Sequence, residues 1–514
     1  ELVLMAMKVY SEQAENGDGF KRHLFVGDAA KGFSFIDLLR KNFDVMLMNP
    51  PFGTATESST KWIKEEYENT YSNLGATFVE RSSNLLNNNG GLGIIIDIST
   101  SIRSSYENYR KSVLYSKYAL TTYMPLGWDV LDANVEVCCF TAFSRIHDIE
   151  AVFCLDASST KDKQSKLATV INSITNGQND SDYYLKSQRD FESFPNGVPS
   201  FSIPNTILHL FSNFCKLDPD FANLRTGLST GDNERFYKLY WEIKPGNNWF
   251  YLSNGGVFSP FFRPSQEVIN WGHNGREITE YKDVSGKLIS RPQNLSFSKK
   301  PGLSYGKRGE YLAVHAHPKD RYFTNEGQGI FPHNSDFYFF LLAYLNSKLL
   351  RAILNEYCGQ HKENGYVSLL PILFSDEVAR EELGNYAKTV IFELRKVQRF
   401  RLEHVETVPP SIYGFATLHE YVDNTTKNLE VLKEKLAHLE DEINCLVFSS
   451  LGVDEEGERW VETKSKSMPP FFAAINAFSW EPREIVSEII DYLIGFLFGR
   501  WNYEFFIGVK NPPE

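Results

Sequence analysis

The tetrapeptide Asn49-Pro50-Pro51-Phe52 carries the sharpest chemistry in the sequence. The side-chain oxygen of Asn49 and a neighbouring backbone carbonyl can both accept hydrogen bonds from an exocyclic NH2 group. This arrangement would turn the nitrogen lone pair toward an incoming methyl group, while the stiff prolines would fix the carbonyl. Phe52 would offer a flat face for a base flipped out of a duplex. An ordinary structural turn is the competing interpretation of the same four residues.

The residues before the tetrapeptide favour a site over a turn. Phe43–Met48 is apolar after Asp44, a pattern expected of a strand buried on both faces of a parallel sheet. The two prolines forbid further strand pairing, so the tetrapeptide must follow the carboxyl end of that strand. Ligands bind at this edge of open α/β sheets. Residues 22–28 predict another short strand, which ends in an acidic turn at Asp28.

The order of these segments resembles the γ-type amino-methyltransferases, whose catalytic motif reads F-D-x-x-x-x-N-P-P-[YF]. The resemblance implies that Asn49, Pro50, Pro51 and Phe52 form the catalytic loop around a target adenine. It further implies that Asp28 lies near the adenine of S-adenosylmethionine. Further elements follow in the expected order: a helix over 78–86, a strand over 92–96, a helix through 106–110 and a strand over 135–143.

One part of the family pattern is missing. The glycine-rich loop that holds S-adenosylmethionine should lie upstream of Asp28, and no such segment is present. Gly90-Gly91 precedes its strand instead of following one, and the glycines at 227 and 231 lack a preceding strand. The fold class expected is therefore α/β, with a partial Rossmann-like methyltransferase sheet. We expect the chain by itself to be unable to methylate.

The character of the sequence changes after residue 150. Residues 156–200 are rich in Ser, Asp, Asn and Lys and predict a lightly packed connector. Beyond it, short β segments separated by Gly and Asn turns predict a mixed α+β recognition domain. Basic residues interleaved with aromatics suit a surface that meets phosphates and bases. The candidate DNA-binding residues are Arg291, Lys299, Lys300, Lys307 and Arg308; a solvated basic hairpin is the alternative.

Several motifs in this half occur in the order found in type IIG restriction-modification enzymes and, more closely, in the methyltransferases of BREX phage-exclusion systems (the PglX type). Each motif is weak alone, but their co-occurrence covers nearly the whole chain. They are Gly227–Tyr237, Gly255-Gly256, Asn270-Trp271, Arg291-Pro292, Lys300–Gly302, Gly329–Phe331 and Leu341–Ser347. The resemblance implies double-stranded DNA as the partner, with other defence-system subunits as further candidates.

Two long helices are predicted after the recognition domain. The first spans 376–407, and the second spans about 424–447 with leucines at coiled-coil spacing, for which packing against the first helix is the preferred interpretation. In the resembled family such helices separate the recognition and catalytic domains. The predicted divisions are 1–150, the C-terminal part of a catalytic domain; 151–215, a connector; 216–375, target recognition; 376–450, a helical spacer; and 451–514, the start of a further recognition segment.

Composition limits the remaining possibilities. A net charge of −12 and a pI near 5.5 argue against blanket binding of nucleic acid, although a local basic surface remains compatible. The six cysteines show no metal spacing and are expected to be buried free thiols in a reducing cytoplasm, with no metal site. No apolar stretch approaches the ~20 residues of a membrane span. Both ends have the look of a fragment, and no convincing nuclease motif is present.

The preferred hypothesis is an N6-adenine DNA methyltransferase in phage defence or restriction-modification, with S-adenosylmethionine as cofactor. Transfer would be direct, with neither metal nor covalent intermediate. One alternative is a non-catalytic DNA-recognition module that retains the tetrapeptide. The other is an RNA or protein-glutamine methyltransferase, because the N-P-P-[YF] motif also serves those enzymes.

Overall fold

The computed structural model describes most of the chain as two compact units. The described residues are 5, 6, 9, 28, 31, 32, 34, 41–131, 134–144, 150–177, 183–243, 248–372, 376–398, 414–474 and 481–497. Unit 1 comprises residues 1–202 and unit 2 comprises residues 203–514. Each is built around its own sheets and core.

Unit 1 contains a six-stranded mixed sheet in the order β1-β2-β4-β3-β5-β6. The strands are β1 (Phe43–Met48), β2 (Leu86–Asp97), β3 (Tyr118–Gly127), β4 (Val137–Ser144), β5 (Val152–Leu155) and β6 (Tyr183–Lys186). β1 and β2 run parallel, as do β3 and β5, whereas β4 is antiparallel to both of its neighbours. The predicted strands after the tetrapeptide are therefore present, and the mixed α/β class is confirmed.

Helices and tight turns of unit 1 connect these strands. The α-helices are α1 (Glu57–Glu66), α2 (Leu74–Ser82), α3 (Ser99–Ile102), α4 (Tyr115–Lys117), α5 (Lys163–Thr175) and α6 (Gln188–Ser193). α2 begins where the side chain of Asn73 accepts a hydrogen bond from the backbone N–H of Ala76. It buries Ala76 and Val79 against a core that includes Ile94 and Ile96 of β2. This packing fixes the crossover between β1 and β2.

The prediction that β1 is buried on both faces is wrong for the described chain. Val45 and Leu47 are 63% and 79% exposed, so the face of β1 that carries them is open, and β1 is an edge strand of the sheet formed by the described residues. Gly93 on β2 lets Leu47 lie across the neighbouring strand, since a Cβ there would come within 2.6 Å of Leu47 Cδ2. The apolar run thus marks a strand, but it does not reveal what covers that strand.

The predicted connector is also folded. β5 pairs with β3, and β6 pairs with β5, so residues 152–186 extend the sheet of unit 1. α5 fills the polar segment between them, with the side chain of Asp162 accepting a hydrogen bond from Ser165 N–H at its start. The polar side chains of α5 and of the residues beside it concealed the short apolar strands.

Unit 2 begins with two four-stranded sheets, ordered β14-β10-β11-β9 and β13-β12-β15-β8, and a two-stranded sheet. The strands are β7 (Cys215–Lys216), β8 (Ala222–Arg225), β9 (Tyr237–Leu239), β10 (Trp249–Ser253), β11 (Glu267–Asn270), β12 (Gly302–Gly306), β13 (Val314–His317), β14 (Tyr322–Phe323), β15 (Gly327–Pro332) and β16 (Pro371–Ile372). Short strands joined by turns agree with the predicted mixed α+β recognition domain.

The rest of unit 2 is helical. Its helices are α7 (Asn205–Asn213), α8 (Asn233–Phe236), α9 (Arg276–Thr279), α10 (Phe337–Leu345), α11 (Lys348–Tyr357), α12 (Asn364–Val367), α13 (Glu377–Gln398), α14 (Leu418–Leu451), α15 (Glu455–Ser465) and α16 (Pro482–Leu497). Within the described ranges no single helix is long and apolar enough to cross a membrane; α10 and α11, bent by 66°, meet that test only as a pair, by length and composition.

The predicted spacer helices pack on each other as expected. Leu429, Leu432, Leu436, Leu439 and Ile443 of α14 are buried, whereas Leu446 is half-buried and Val447 takes the next buried position. Lys435 of α14 lies 2.7 Å from a carboxylate oxygen of Glu393 on α13. The internal interpretation of the leucine pattern is therefore confirmed. Phe498-Gly499-Arg500-Trp501 resembles an F-G-R-[WY] element of the family and would open the further recognition segment predicted for 451–514, but it lies outside the described residues.

Candidate active site and nucleic-acid interface

The predicted catalytic tetrapeptide lies at the carboxyl end of β1. Phe43–Met48 pairs in parallel with β2 up to Met48 opposite Ile94, and extended pairing then stops. Asn49 and Pro51 are exposed, Pro50 is buried, and Phe52 is half-buried. The prolines therefore end the strand as predicted, and they place Asn49 at the edge of the sheet.

Asn49 and Phe52 differ in what they contact. Asn49 is exposed, and its side chain makes no hydrogen bond to another described residue. Phe52 packs against a buried cluster that includes Met124, Leu126 and Val137. One part of its ring is thereby fixed while another part stays accessible. A free amide beside an immobilised aromatic ring suits the binding of a planar ligand that carries an NH2 group.

The loop is tied to its surroundings on both sides. The backbone N–H of Leu74 donates to the carbonyl of Gly53 at 2.8 Å, which links the loop to the start of α2. Gly53 has φ +91°, a conformation that a side chain would disfavour. Asp44 at the other end accepts a hydrogen bond from the Asn87 side chain at 2.7 Å. These contacts hold the tetrapeptide in a defined position without using Asn49.

Three carboxylates from separate segments meet at the same edge of the sheet, and no motif in the sequence links them. Asp97 ends β2, Glu136 precedes β4, and Asp156 follows β5. Burial, then Asp97 and Asp156, raise the pKa of Glu136. Asp97 is engaged locally, because it accepts hydrogen bonds from the backbone and side chain of Ser99. Only the fold brings residues so far apart in sequence together.

A buried arginine stabilises the segment that follows β2. Arg110 is fully buried and donates hydrogen bonds to the backbone carbonyls of Asn196, Thr100 and Arg103 at 2.7–3.0 Å. It lies in a π-helical turn, Tyr109–Leu114. Burial lowers the pKa of Arg110, but three carbonyl partners stabilise its charged form. Its function in the fold is to fix the backbone beside the carboxyl end of β2.

The proposed cofactor residue Asp28 is exposed and helical, so the expected acidic turn is wrong at this position. The strand predicted for residues 22–27 lies outside the described residues. Gly90 and Gly91 lie within β2 itself, so they do not form a loop at a strand end. The described residues therefore do not assemble a complete S-adenosylmethionine site.

The candidate DNA-binding residues fall into two groups with different surroundings. In the first group, Lys299 lies 3.7 Å from the centre of the Phe250 ring, and Lys300 lies 5.1 Å from that of Phe297. The guanidinium of Arg225 lies over the same Phe297 ring. Arg291, the third predicted residue of this group, is exposed and pairs through its backbone with Ser229. Cations held on aromatic faces keep their charge available to an anion.

The second group is neutralised within the protein. Lys307 lies 3.1 Å from Glu363, and Arg308 lies 3.0 Å from Glu326. The Arg308 side chain is mostly exposed, so its pair is weak and can be exchanged for another anion. The uniform basic surface expected from the sequence is thus divided: Lys299, Lys300 and Arg291 are free of carboxylate partners in the described chain, whereas Lys307 and Arg308 are not.

The family-like motifs of this half are mostly structural. A Cβ at Gly227 would overlap the carbonyl of Phe323, and one at Gly255 would lie 2.5 Å from the carbonyl of Glu326. Asn346 is fully buried and pairs with the N–H and C=O of Val314 on β13. These motifs therefore specify close packing of strands and helices, and they do not by themselves mark contacts with DNA.

Buried polar groups in unit 2 are also structural. Ser253 Oγ and His317 Nδ1 lie 2.7 Å apart, but both side chains are buried. Burial lowers the pKa of His317 to about 3, so the ring is neutral at physiological pH. The described residues contain no group of three His, Cys, Asp or Glu side chains that could hold a metal ion. Of the free cysteines, Cys215 and Cys445 are exposed, contrary to the expectation of burial.

Comparisons with known proteins agree with the motifs. The family described as Eco57I restriction-modification methylase matches residues 10–125. The chain is 22% identical over 508 residues to the adenine-specific methyltransferase PglX of Lacticaseibacillus casei (strain Zhang), covering 91% of this chain and 40% of that protein. It is 21% identical over 506 residues to the adenine-specific methyltransferase BrxX of Escherichia coli O9:H4 (strain HS), covering 91% and 39%.

A solved structure also aligns with the chain. The Type IIL restriction-modification enzyme MmeI in complex with DNA aligns with a TM-score of 0.49 and 10% identity, covering 86% of this chain and 57% of that one. The chain spans about 40% of the length of the two methyltransferases to which it is similar in sequence. Its similarity to them extends across both units.

Proposed function

We propose that this chain forms part of an adenine-specific DNA methyltransferase of phage defence or restriction-modification. The single observation that carries the proposal is the free amide of Asn49 beside the packed ring of Phe52, at the carboxyl end of β1. Similarity to PglX and BrxX over 91% of the chain supports adenine as the target base.

The catalytic loop acts by positioning. The side-chain oxygen of Asn49 and the backbone carbonyl of Pro50 each accept a hydrogen bond from one N–H of the adenine N6 amino group. This pairing directs the nitrogen lone pair out of the base plane and toward the methyl donor. Phe52 stacks on a base that has left the duplex, and its packing against Met124 and Leu126 means that the ring needs no reordering when the base binds.

S-adenosylmethionine is the proposed cofactor and would supply an electrophilic methyl group when bound. Asp28 is the residue of this chain proposed to contact it, and its exposed carboxylate is accessible for that purpose. The remaining contacts must come from residues other than those described. We therefore propose that this chain alone does not methylate DNA.

The proposed recognition surface lies in unit 2, around Arg291, Lys299 and Lys300. Their charges are free of carboxylate partners in the described chain, and Lys299 and Lys300 lie on aromatic rings. Phosphate contacts would account for most of the affinity and would make binding sensitive to salt. Lys307 and Arg308 contribute less, because binding requires them to leave Glu363 and Glu326.

The experiment is methyl transfer from labelled S-adenosylmethionine to unmodified genomic DNA, with full-length protein and its Asn49→Ala variant. Asn69→Ala, an exposed asparagine of unit 1 in a turn between α1 and α2, is the matched control. We expect incorporation into N6-methyladenine with the wild type and the control, and at least roughly a hundredfold less with Asn49→Ala. Transfer to RNA or protein in place of DNA would instead support the alternative substrate classes.

A non-catalytic recognition module remains the second candidate, because the described residues do not complete a cofactor site. Equilibrium binding of S-adenosylmethionine to the full-length protein separates the two. Salt-sensitive binding of duplex DNA without cofactor binding would favour the recognition module. Cofactor binding that persists in Asn49→Ala would place the loss of activity in the chemical step.

A further inference from the structure

A narrow hairpin projects from the recognition half of unit 2 and ends in an apolar side chain. Lys282 and Leu288 form its antiparallel bridge, and Val284 at its tip is fully exposed. Lys282 and Lys287 flank the tip, and both are exposed. We propose that this hairpin enters the major groove of duplex DNA, with Val284 against the base edges and the two lysines on phosphates. The proposal rests on the DNA-binding function proposed above.

The tip is held in one conformation before any ligand binds. One carboxylate oxygen of Asp283 accepts hydrogen bonds from the backbone N–H groups of Ser285 and Lys287 and from the Ser285 hydroxyl, at 2.6–3.0 Å. These bonds lower the pKa of Asp283, so its side chain is a carboxylate at neutral pH, and that carboxylate is hydrogen-bonded within the tip. Gly286 has φ +82° and completes the turn. A preordered tip loses little conformational entropy when it binds.

The base of the hairpin is anchored in the protein core. Tyr281 donates a hydrogen bond from its hydroxyl to Asp232 at 3.2 Å, and its ring packs edge-on against Phe236. Ile289 on the returning strand packs against Gly231, where a Cβ would come within 2.7 Å of Ile289 Cγ2. Contacts with the buried cluster around Phe236 therefore fix the position of the hairpin. A ribbon that probes a groove needs such an anchor.

The charges at the tip favour DNA as the partner of the hairpin. Neither Lys282 nor Lys287 makes an ion pair within the described ranges, although the chain as a whole carries a net charge of −12. Asp283 within the tip already accepts hydrogen bonds from Ser285 and Lys287 N–H. The acidic residues just before the hairpin are paired, Glu277 with Arg235 and Glu280 with Arg276. The exposed end of the hairpin is thus cationic around an apolar centre. Phosphates flanking the apolar edges of bases have the complementary arrangement.

The two-stranded form of the hairpin favours the major groove over the minor groove. A two-stranded ribbon fits the major groove, which is about 12 Å wide, whereas the minor groove, at about 6 Å, is too narrow for it. Val284 has no polar atom in its side chain, so it would contact thymine methyl groups and ring edges without hydrogen bonding. This contact contributes affinity and a preference among sequences, while the lysines contribute affinity that falls with salt.

The test measures duplex DNA binding by fluorescence anisotropy across a salt series, using the full chain and the variants Val284→Ser, Lys282→Gln and Lys287→Gln. Val431→Ser and Lys427→Gln on α14 are matched exposed controls. Each hairpin lysine variant should lower the slope of log affinity against log salt by about 0.9. Val284→Ser should weaken binding about tenfold and leave that slope unchanged. Both controls should match the wild type.

The outcomes separate this inference from the proposed function. Absence of duplex binding by the wild type would overturn both. Wild-type binding that the three hairpin variants leave unchanged would overturn the hairpin proposal alone. Sedimentation velocity addresses a protein occupant: a change of oligomeric state in Val284→Ser with unaltered DNA affinity would also overturn it. Circular dichroism should confirm that all variants fold, because each altered side chain is exposed.

Discussion

The buried ion pair between Arg351 on α11 and Glu440 on α14 gives a stringent test of how unit 2 is held together. Arg351 Nη2 lies 3.3 Å from Glu440 Oε1, with the side chains 0% and 5% exposed. Arg351 also donates to the carbonyl of Pro469, and Glu440 accepts from the backbone N–H of Phe471. We predict that Arg351→Met lowers the free energy of unfolding by about 4 kcal/mol, because it leaves a buried carboxylate with one remaining partner.

The magnitude follows from which charge is left without its partner. Glu440→Met strands a buried guanidinium and should have a similar effect of about 4 kcal/mol. The double variant leaves neither charge buried and loses mainly the acceptor of Phe471 N–H, so it should be destabilised by only about 2 kcal/mol. The sum of the two single effects would then exceed the effect of the double variant by about 6 kcal/mol, so the two substitutions would be far from additive.

Urea unfolding followed by circular dichroism at pH 7 measures these differences. Arg276→Met removes one partner of the mostly exposed pair Arg276–Glu280 and should change stability by less than about 0.5 kcal/mol. An effect below about 1 kcal/mol for Arg351→Met would refute the assignment of a desolvated pair. Strict additivity in the double variant would show that the two side chains do not depend on each other.

Three further predictions concern other parts of the fold. Arg110→Met should lower the unfolding free energy by about 3 kcal/mol in urea titrations, because three buried carbonyls lose their donor; a loss below 1 kcal/mol would contradict this. Glu136→Gln should raise the melting temperature at pH 7 but not at pH 4. The folded state raises the pKa of Glu136, so the carboxylate opposes folding increasingly as the pH rises past its unfolded pKa, and fully above its folded pKa; equal shifts at both pH values would contradict this. Gly227→Ala should cost about 2–3 kcal/mol through its overlap with the strand backbone opposite, whereas Gly359→Ala, with open space around it, should be nearly neutral in the same assay.

The position of the tetrapeptide Asn49-Pro50-Pro51-Phe52 was predictable because its signal is local. An apolar run followed by two prolines specifies a strand end, and the structure places Asn49 there. The chemistry assigned to Asn49 and Phe52 stays a prediction. What the sequence could not reveal is the open face of β1, because exposure depends on which elements lie over a strand and not on the strand itself.

Contacts between residues that are distant in sequence explain the other differences between the predictions and the structure. Lys307 and Arg308 looked equivalent to Lys299 and Lys300 in the sequence, but the fold brings carboxylates to the first pair and aromatic rings to the second. The motif glycines were recognisable by position, whereas their packing against β-strand backbones required the structure. The strands β5 and β6 were missed because four-residue apolar segments carry little periodic signal beside a polar helix.

The most direct measurement is methyl transfer from labelled S-adenosylmethionine to unmodified DNA by the full-length protein, beside Asn49→Ala and the Asn69→Ala control. The proposed mechanism predicts N6-methyladenine with the wild type and Asn69→Ala, and at least a hundredfold less with Asn49→Ala, since positioning contributes several kcal/mol to such a step (roughly 3 or more). Equal incorporation by Asn49→Ala and the wild type would contradict the assignment of the catalytic loop.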